Sequence, residues 1–141
     1  MRVVCALALG IGLVGMQGCS RSSPEGTSPV NSPVGVEWRL VSIGGTPAGT
    51  GANGQPATLR LDDTSGRASG YAGCNQFSGS YTLSGTSISF GPLAMTRMAC
   101  AQGGDLESRY TMVLEQATGW KITSKGLDLR KGSTLLAKFT K

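Results

Sequence analysis

Four cysteines and a complete absence of histidine define the chemistry open to this chain. Without His there is no Ser-His-Asp or Cys-His nucleophile and no His-ligated metal. Cys5, Cys19, Cys74 and Cys100 are the reactive inventory. Cys74 and Cys100 have no Cys-x-x-Cys spacing, and no helix starts beside Cys74, so they make a poor redox pair. Three readings of them stay open on the residues alone: a disulfide, two buried thiols acting as small hydrophobes, or a redox couple. Two carboxylate clusters, Asp62-Asp63 and Asp105-x-Glu107, invite acid–base or Ca²⁺ readings. The first reads as a turn and the second as a helix start, where acidic side chains are favoured by the backbone dipole. The reading is therefore of no enzyme, no metal and no cofactor.

The N-terminus supplies an address. Met1-Arg2 is a short positive region, and Val3 to Val14 is an apolar run too short to span a bilayer. Met16-Gln17-Gly18-Cys19 follows and resembles a bacterial lipobox, although Gln17 and Met16 depart from the commonest residues there. The resemblance implies that residues 1–18 are a lipoprotein signal peptide and that Cys19 carries lipid. Each buried methylene contributes about 0.8 kcal/mol, so a multiply acylated cysteine stays on a membrane. Ser20 follows Cys19, and no Asp stands there. In the enteric sorting pattern this resembles, that favours the outer membrane, with the protein facing the periplasm. Residues 19–35, rich in Ser, Pro, Gly and Thr, read as a tether that cannot bury enough to order itself.

That address bears on the remaining cysteines. Cys5 leaves with the signal peptide and Cys19 is lipidated, which leaves Cys74 and Cys100 as an even pair in an oxidising compartment. A Cys74–Cys100 disulfide is expected, contributing roughly 3–4 kcal/mol in the chain-entropy model.

Residues 36–141 are enough for one domain. Abundant Gly with alternating short runs points to many strands and tight turns. Trp38 and Leu40 share one face of a first strand, and Leu59 and Leu61 one face of a second. Arg67 to Gly73 returns, with Gly70 and Gly73 marking a bulge or a close backbone approach. Phe77, Gly79, Tyr81 and Leu83 alternate with Ser78, Ser80, Thr82 and Ser84, and Ile88 and Phe90 continue the pattern. Leu106, Tyr110, Val113, Leu114 and Ala117 fall at helical spacing, with Asp105 expected as the cap and Gly119 as the closing residue. Three short strands then end the chain. The fold class is α+β, mainly β: a strongly twisted antiparallel sheet of about eight short strands, curled into an open barrel, with one packed or capping α-helix.

These residues carry a family resemblance. Trp38-x-Leu40, Gly73-Cys74-Asn75-x-Phe77-x-Gly79-x-Tyr81 and Gly91-Pro92-Leu93-Ala94-Met95-Thr96-Arg97-Met98-Ala99-Cys100 together resemble the META domain, as found in HslJ-like envelope lipoproteins. The resemblance covers roughly residues 36–141, with Met95 standing where a small residue is usual. It implies a small β-rich domain, links to stress response and novobiocin tolerance, and no catalytic residues.

Trp38, Asn75, Phe77, Tyr81 and Arg97 are the candidate structural or binding residues. Trp38 reads as a core plug, Asn75 as a turn residue, and Arg97 as a partly buried ion pair or carbonyl clamp. The basic residues are scattered and the net charge is +5, so no nucleic-acid footprint is read. A monomeric envelope lipoprotein acting as a binding or scaffold module is expected, its partners the membrane and an unidentified envelope protein or lipid. The alternative is a lipid- or small-molecule-binding barrel whose pocket is lined by Tyr81, Phe90, Trp120 and Phe139.

Overall fold

Period-two alternation becomes strands whose apolar side faces one interior. The computed structural model describes residues 31–141; the expected signal peptide, Cys19 and most of the tether lie outside those residues. The strands are β1 (Glu37–Ile43), β2 (Thr46–Pro47), β3 (Thr58–Asp62), β4 (Arg67–Tyr71), β5 (Gln76–Ser84), β6 (Ser87–Phe90), β7 (Ala94–Met95), β8 (Gly119–Thr123), β9 (Gly126–Lys131) and β10 (Thr134–Thr140). The helix α1 (Gly104–Gln116) falls between β7 and β8. Trp38, Leu59, Leu61, Phe77 and Tyr81 all point inward and are buried, as the alternation requires.

All pairings are antiparallel, and eight strands follow one another around a ring in the order β1, β3, β4, β5, β6, β8, β9, β10. The ring closes because β10 returns to β1, pairing Leu40 with Phe139 and Ile43 with Ala137. The β6–β8 seam is the slightest, with Ser87 opposite Gly119 and bonds between the Ile88 N–H and Thr118 O and between the Trp120 N–H and Thr86 O. The two-residue strands β2 and β7 append to β1 and β5. The expected α+β, mainly β class is what folds, and its sheet meets itself end to end.

Packing fills the ring. Trp38, Leu59, Leu61, Leu114, Leu127, Leu129 and Phe139 are buried, and Tyr110 sits among them with Phe77 edge-on at 5.9 Å and Phe139 tilted at 6.1 Å. Full burial of such a side chain stabilises by about 1.5–3 kcal/mol. Only the stripe Leu106, Tyr110, Val113 and Leu114 of α1 is buried, and the helix touches both β1 and β6 across the ring. It covers one end of the ring. The Tyr110 hydroxyl donates to Thr58 O at 2.9 Å, so the one polar atom of this plug is satisfied. Gly70 lies flush on the Thr58 carbonyl, and any Cβ there would clash with it, which is the close approach expected of that glycine.

Three expectations are corrected. The packed fold begins inside the expected 19–35 tether: Pro33 is buried, its carbonyl accepts the Trp38 indole N–H at 2.7 Å, and the Gly35 N–H bonds Leu61 O at 2.9 Å. A buried indole needs an acceptor, and the segment before β1 provides one. Asp105 does not cap α1; Gly103 holds that position with left-handed backbone (φ 88°), and the Asp105 carboxylate pairs instead with Arg109 at 2.9 Å. Gly119 does not close the helix; the cap is Ala117 in extended backbone, and Gly119 opens β8. Among the described residues no helix is long and apolar enough to cross a membrane.

Candidate functional site at the Asn75 turn

Turn chemistry between β4 and β5 builds a densely bonded junction. Gly73 takes φ 119°, a backbone conformation that glycine allows and other residues resist. Its carbonyl accepts the Tyr71 hydroxyl at 2.6 Å and the Ala52 N–H at 2.7 Å. Gly103, at the start of α1, is pressed against the same carbonyl, where a Cβ would clash. Glycine on both sides lets the helix start abut the turn.

Cys74 then forms a disulfide with Cys100, with Cα atoms 5.9 Å apart and a sequence separation of 26. This fixes the end of the irregular segment 91–100 to the turn. β7 fixes its middle by pairing Met95 with Phe77.

Asn75, only 6% exposed, sits between the two attachments. Its Oδ1 accepts the Met98 N–H at 2.6 Å and the Thr96 hydroxyl at 3.1 Å. Its Nδ2 donates to Glu107 Oε1 at 3.2 Å, and its backbone N–H donates to Glu107 Oε2 at 2.6 Å. The Thr96 hydroxyl also accepts the Gln76 N–H at 3.0 Å. One side chain therefore joins strand, irregular segment and helix, with every polar group engaged. Nothing is left on Asn75 to act on a substrate.

Around this hub lies a shallow hollow of about 680 Å³, lined by Leu93, Met95, Arg97, Met98 and Glu107 among others. Met98 is 61% exposed. Arg97 is exposed too, and among the described residues it makes no hydrogen bond or ion pair. The expected role of Arg97 as a partly buried ion pair or carbonyl clamp is thus corrected. Asn75 and the disulfide already hold the segment, so the guanidinium points to solvent.

The other candidate residues do not gather here. Trp38 is fully buried as a core plug. Phe77 faces Tyr110 inside the ring. Tyr81 is buried and donates to Asp62 O at 2.9 Å; burial, with Asp63 and Asp62 nearby, pushes its phenol up. Asp62 belongs to a turn, where its carboxylate accepts the Ser65 hydroxyl and N–H, both at 2.7 Å, and these bonds hold its pKa below the ordinary value. Glu107 is the member that sequence reasoning missed. Its acidic position in the first helical turn was legible, but its partner lies 32 residues away. Among the described residues no three His, Cys, Asp or Glu side chains cluster as a metal site.

The profile of the META domain matches residues 31–141. The chain belongs to the META domain family. Its fold is similar to the NMR structure of a protein from Burkholderia xenovorans, which is 27% identical and superposes with a TM-score of 0.57 over 84% of this chain and 94% of that one. A second NMR structure is also 27% identical, with a TM-score of 0.55 over 74% of this chain and 86% of its own. No curated protein matches the chain. In this META domain the two family-like segments, Gly73-Cys74-Asn75 and Thr96 to Cys100, are thus one physical unit, stitched by Asn75 and the disulfide.

Proposed function

We propose that this META-domain chain is a non-enzymatic lipoprotein of the bacterial cell envelope, lipidated at Cys19 and serving as a binding or scaffold module in stress or antibiotic tolerance. The observation that carries the reading is the filled ring. With Tyr110, Phe139 and the leucines occupying the interior, a partner has only the outside to meet. The outside offers a segment, Leu93 to Ala99, that carries exposed Arg97 and Met98 and is pinned by Asn75, β7 and the disulfide.

The experiment places a photocrosslinking residue at Met98, and separately at Gly85 on a distant turn, in cells that express the full chain. The expected result is one discrete adduct from position 98 alone, lost in Arg97→Glu. Matching adducts from both positions would sink the reading. Native mass spectrometry of the envelope-extracted protein reads the other half: a chain starting at acylated Cys19 and two hydrogens light is expected. A lipid or small-molecule carrier is the alternative, and an apolar outer groove of about 280 Å³ between Ile43, Val113 and Leu136 is a place for its cargo. Mass retained through detergent exchange would favour it.

A further inference from the structure

The net charge of this chain is carried by one wall of the ring. Residues 117–141 hold six of its thirteen Lys and Arg and one of its eight Asp and Glu. Residues 31–116 hold five basic and six acidic side chains, close to neutral. The basic excess therefore belongs to β8, β9 and β10, which are consecutive in the ring.

Register puts that charge on the outer face. Lys121 pairs across to Asp128 and Asp128 to Lys138, so the three stand in one row across three strands. Leu127 and Leu129 take the inner face of β9, and Asp128 and Arg130 take the outer. Lys121 and Lys138 are exposed. The row's only acid, Asp128, is largely covered, its side chain 11% exposed and its carboxylate 4.0 Å from Arg130. Val41, at the register shift in β1 between Leu40 and Ser42, is half exposed beside β10. The surface is the open outer face of three adjoining strands, with cations spread over it and an apolar residue at its margin. An open cationic face with no enclosing walls matches a surface of anionic headgroups better than a pocket ligand.

The chain's path points the same way. Asn31, Lys125 and Lys141 line one hollow at the end of the ring away from α1. Once the expected signal peptide 1–18 is cleaved, residues 19–30, headed by lipidated Cys19, join the domain there. Whatever those residues are attached to is brought to the edge of the basic wall. The acidic turn Asp62-Asp63 joins β3 and β4, half a ring away from β8 and β9.

We propose that the outer face of β8–β10 lies against an anionic phospholipid surface, so that Lys121, Arg130 and Lys138 contact phosphate headgroups. The proposal deepens the lipoprotein reading and rests on it for the membrane's proximity. Docking fixes which way the domain faces: the Asn75 hollow, carried by β5, β7 and α1, is turned away from the bilayer.

The test is lysine acetylation read by mass spectrometry. Envelope-extracted full-length protein is reconstituted on vesicles of phosphatidylcholine alone or with about 30% phosphatidylglycerol. Lys121 and Lys138 should react roughly fivefold more slowly on the anionic vesicles, and the difference should vanish at about 0.5 M salt. The double variant K121Q/K138Q should lose the slowing at Lys125, and K121R/K138R should keep it. Equal rates on the two vesicle types would overturn the proposal. So would protection by a soluble acidic oligonucleotide that equals or exceeds protection by anionic vesicles, since that marks a general polyanion site. Failure to sediment with neutral vesicles would count against the lipid anchor alone, and the wall would then be judged by its protection on anionic vesicles.

Discussion

Asn75 and Tyr110 show how single side chains decide this structure. Replacing Asn75 by Ala leaves the Met98 N–H and the Thr96 hydroxyl without their acceptor and Glu107 with only the backbone N–H of position 75. Losing the acceptor of two part-buried bonds in this way costs about 1–3 kcal/mol. Asn75→Ala should therefore lower unfolding free energy by roughly 2–3 kcal/mol in urea titrations, with the disulfide still formed. Tyr110 governs the alkaline limit. Its complete burial raises the phenol well above the usual 10.0. The folded state favours the neutral form, so its contribution is complete below the unfolded value and is lost as pH climbs above it. Tyr81 shifts in the same direction. The urea midpoint should hold steady through neutral pH and fall above about pH 10, with a shallower fall in Tyr110→Phe.

At the scale of elements, the irregular segment 91–100 is the piece that depends most on covalent help. It has one two-residue pairing of its own, and the Cys74–Cys100 bridge closes its loop. Reduction, or the double change to Ser, should cost roughly 3–4 kcal/mol of stability. Hydrogen exchange should rise first between residues 93 and 100 and last in β9. The strands and the helix were largely legible in the sequence, because burial writes itself as periodicity. Trp38 with Leu40, Leu59 with Leu61, and Phe77 with Tyr81 mark inward faces, and Leu106, Tyr110, Val113 and Leu114 mark one side of a helix. The helix boundaries were less legible. Gly103 starts α1 by permitting left-handed backbone against the Gly73 carbonyl, a tertiary reason that no local capping rule contains. The candidate site was half legible: the two motif segments were visible, but their junction with Glu107 is a long-range contact. The outward aim of Arg97 followed from bonds made by its neighbours.

At the scale of the whole molecule, the sheet has no first or last strand in space. The N-terminal strand and the C-terminal strand are neighbours, and β10 lies between β1 and β9. Removing β10 would leave β1 and β9 each with one open edge and uncover Leu127 and Leu129. A chain ending at Ser133 should lose its cooperative melt altogether and bind a hydrophobic dye, as measured by circular dichroism and fluorescence. That pairing order was not legible, since strands of similar alternation carry no mark of their partners. It also sets a schedule. A chain emerging residue by residue from its N-terminus displays β1 early but cannot seal the interior until Thr134 to Thr140 arrives. Contacts this distant in sequence form slowly. The incomplete chain thus stays pliable for nearly the whole of its delivery and locks only when its last seven-residue strand is free.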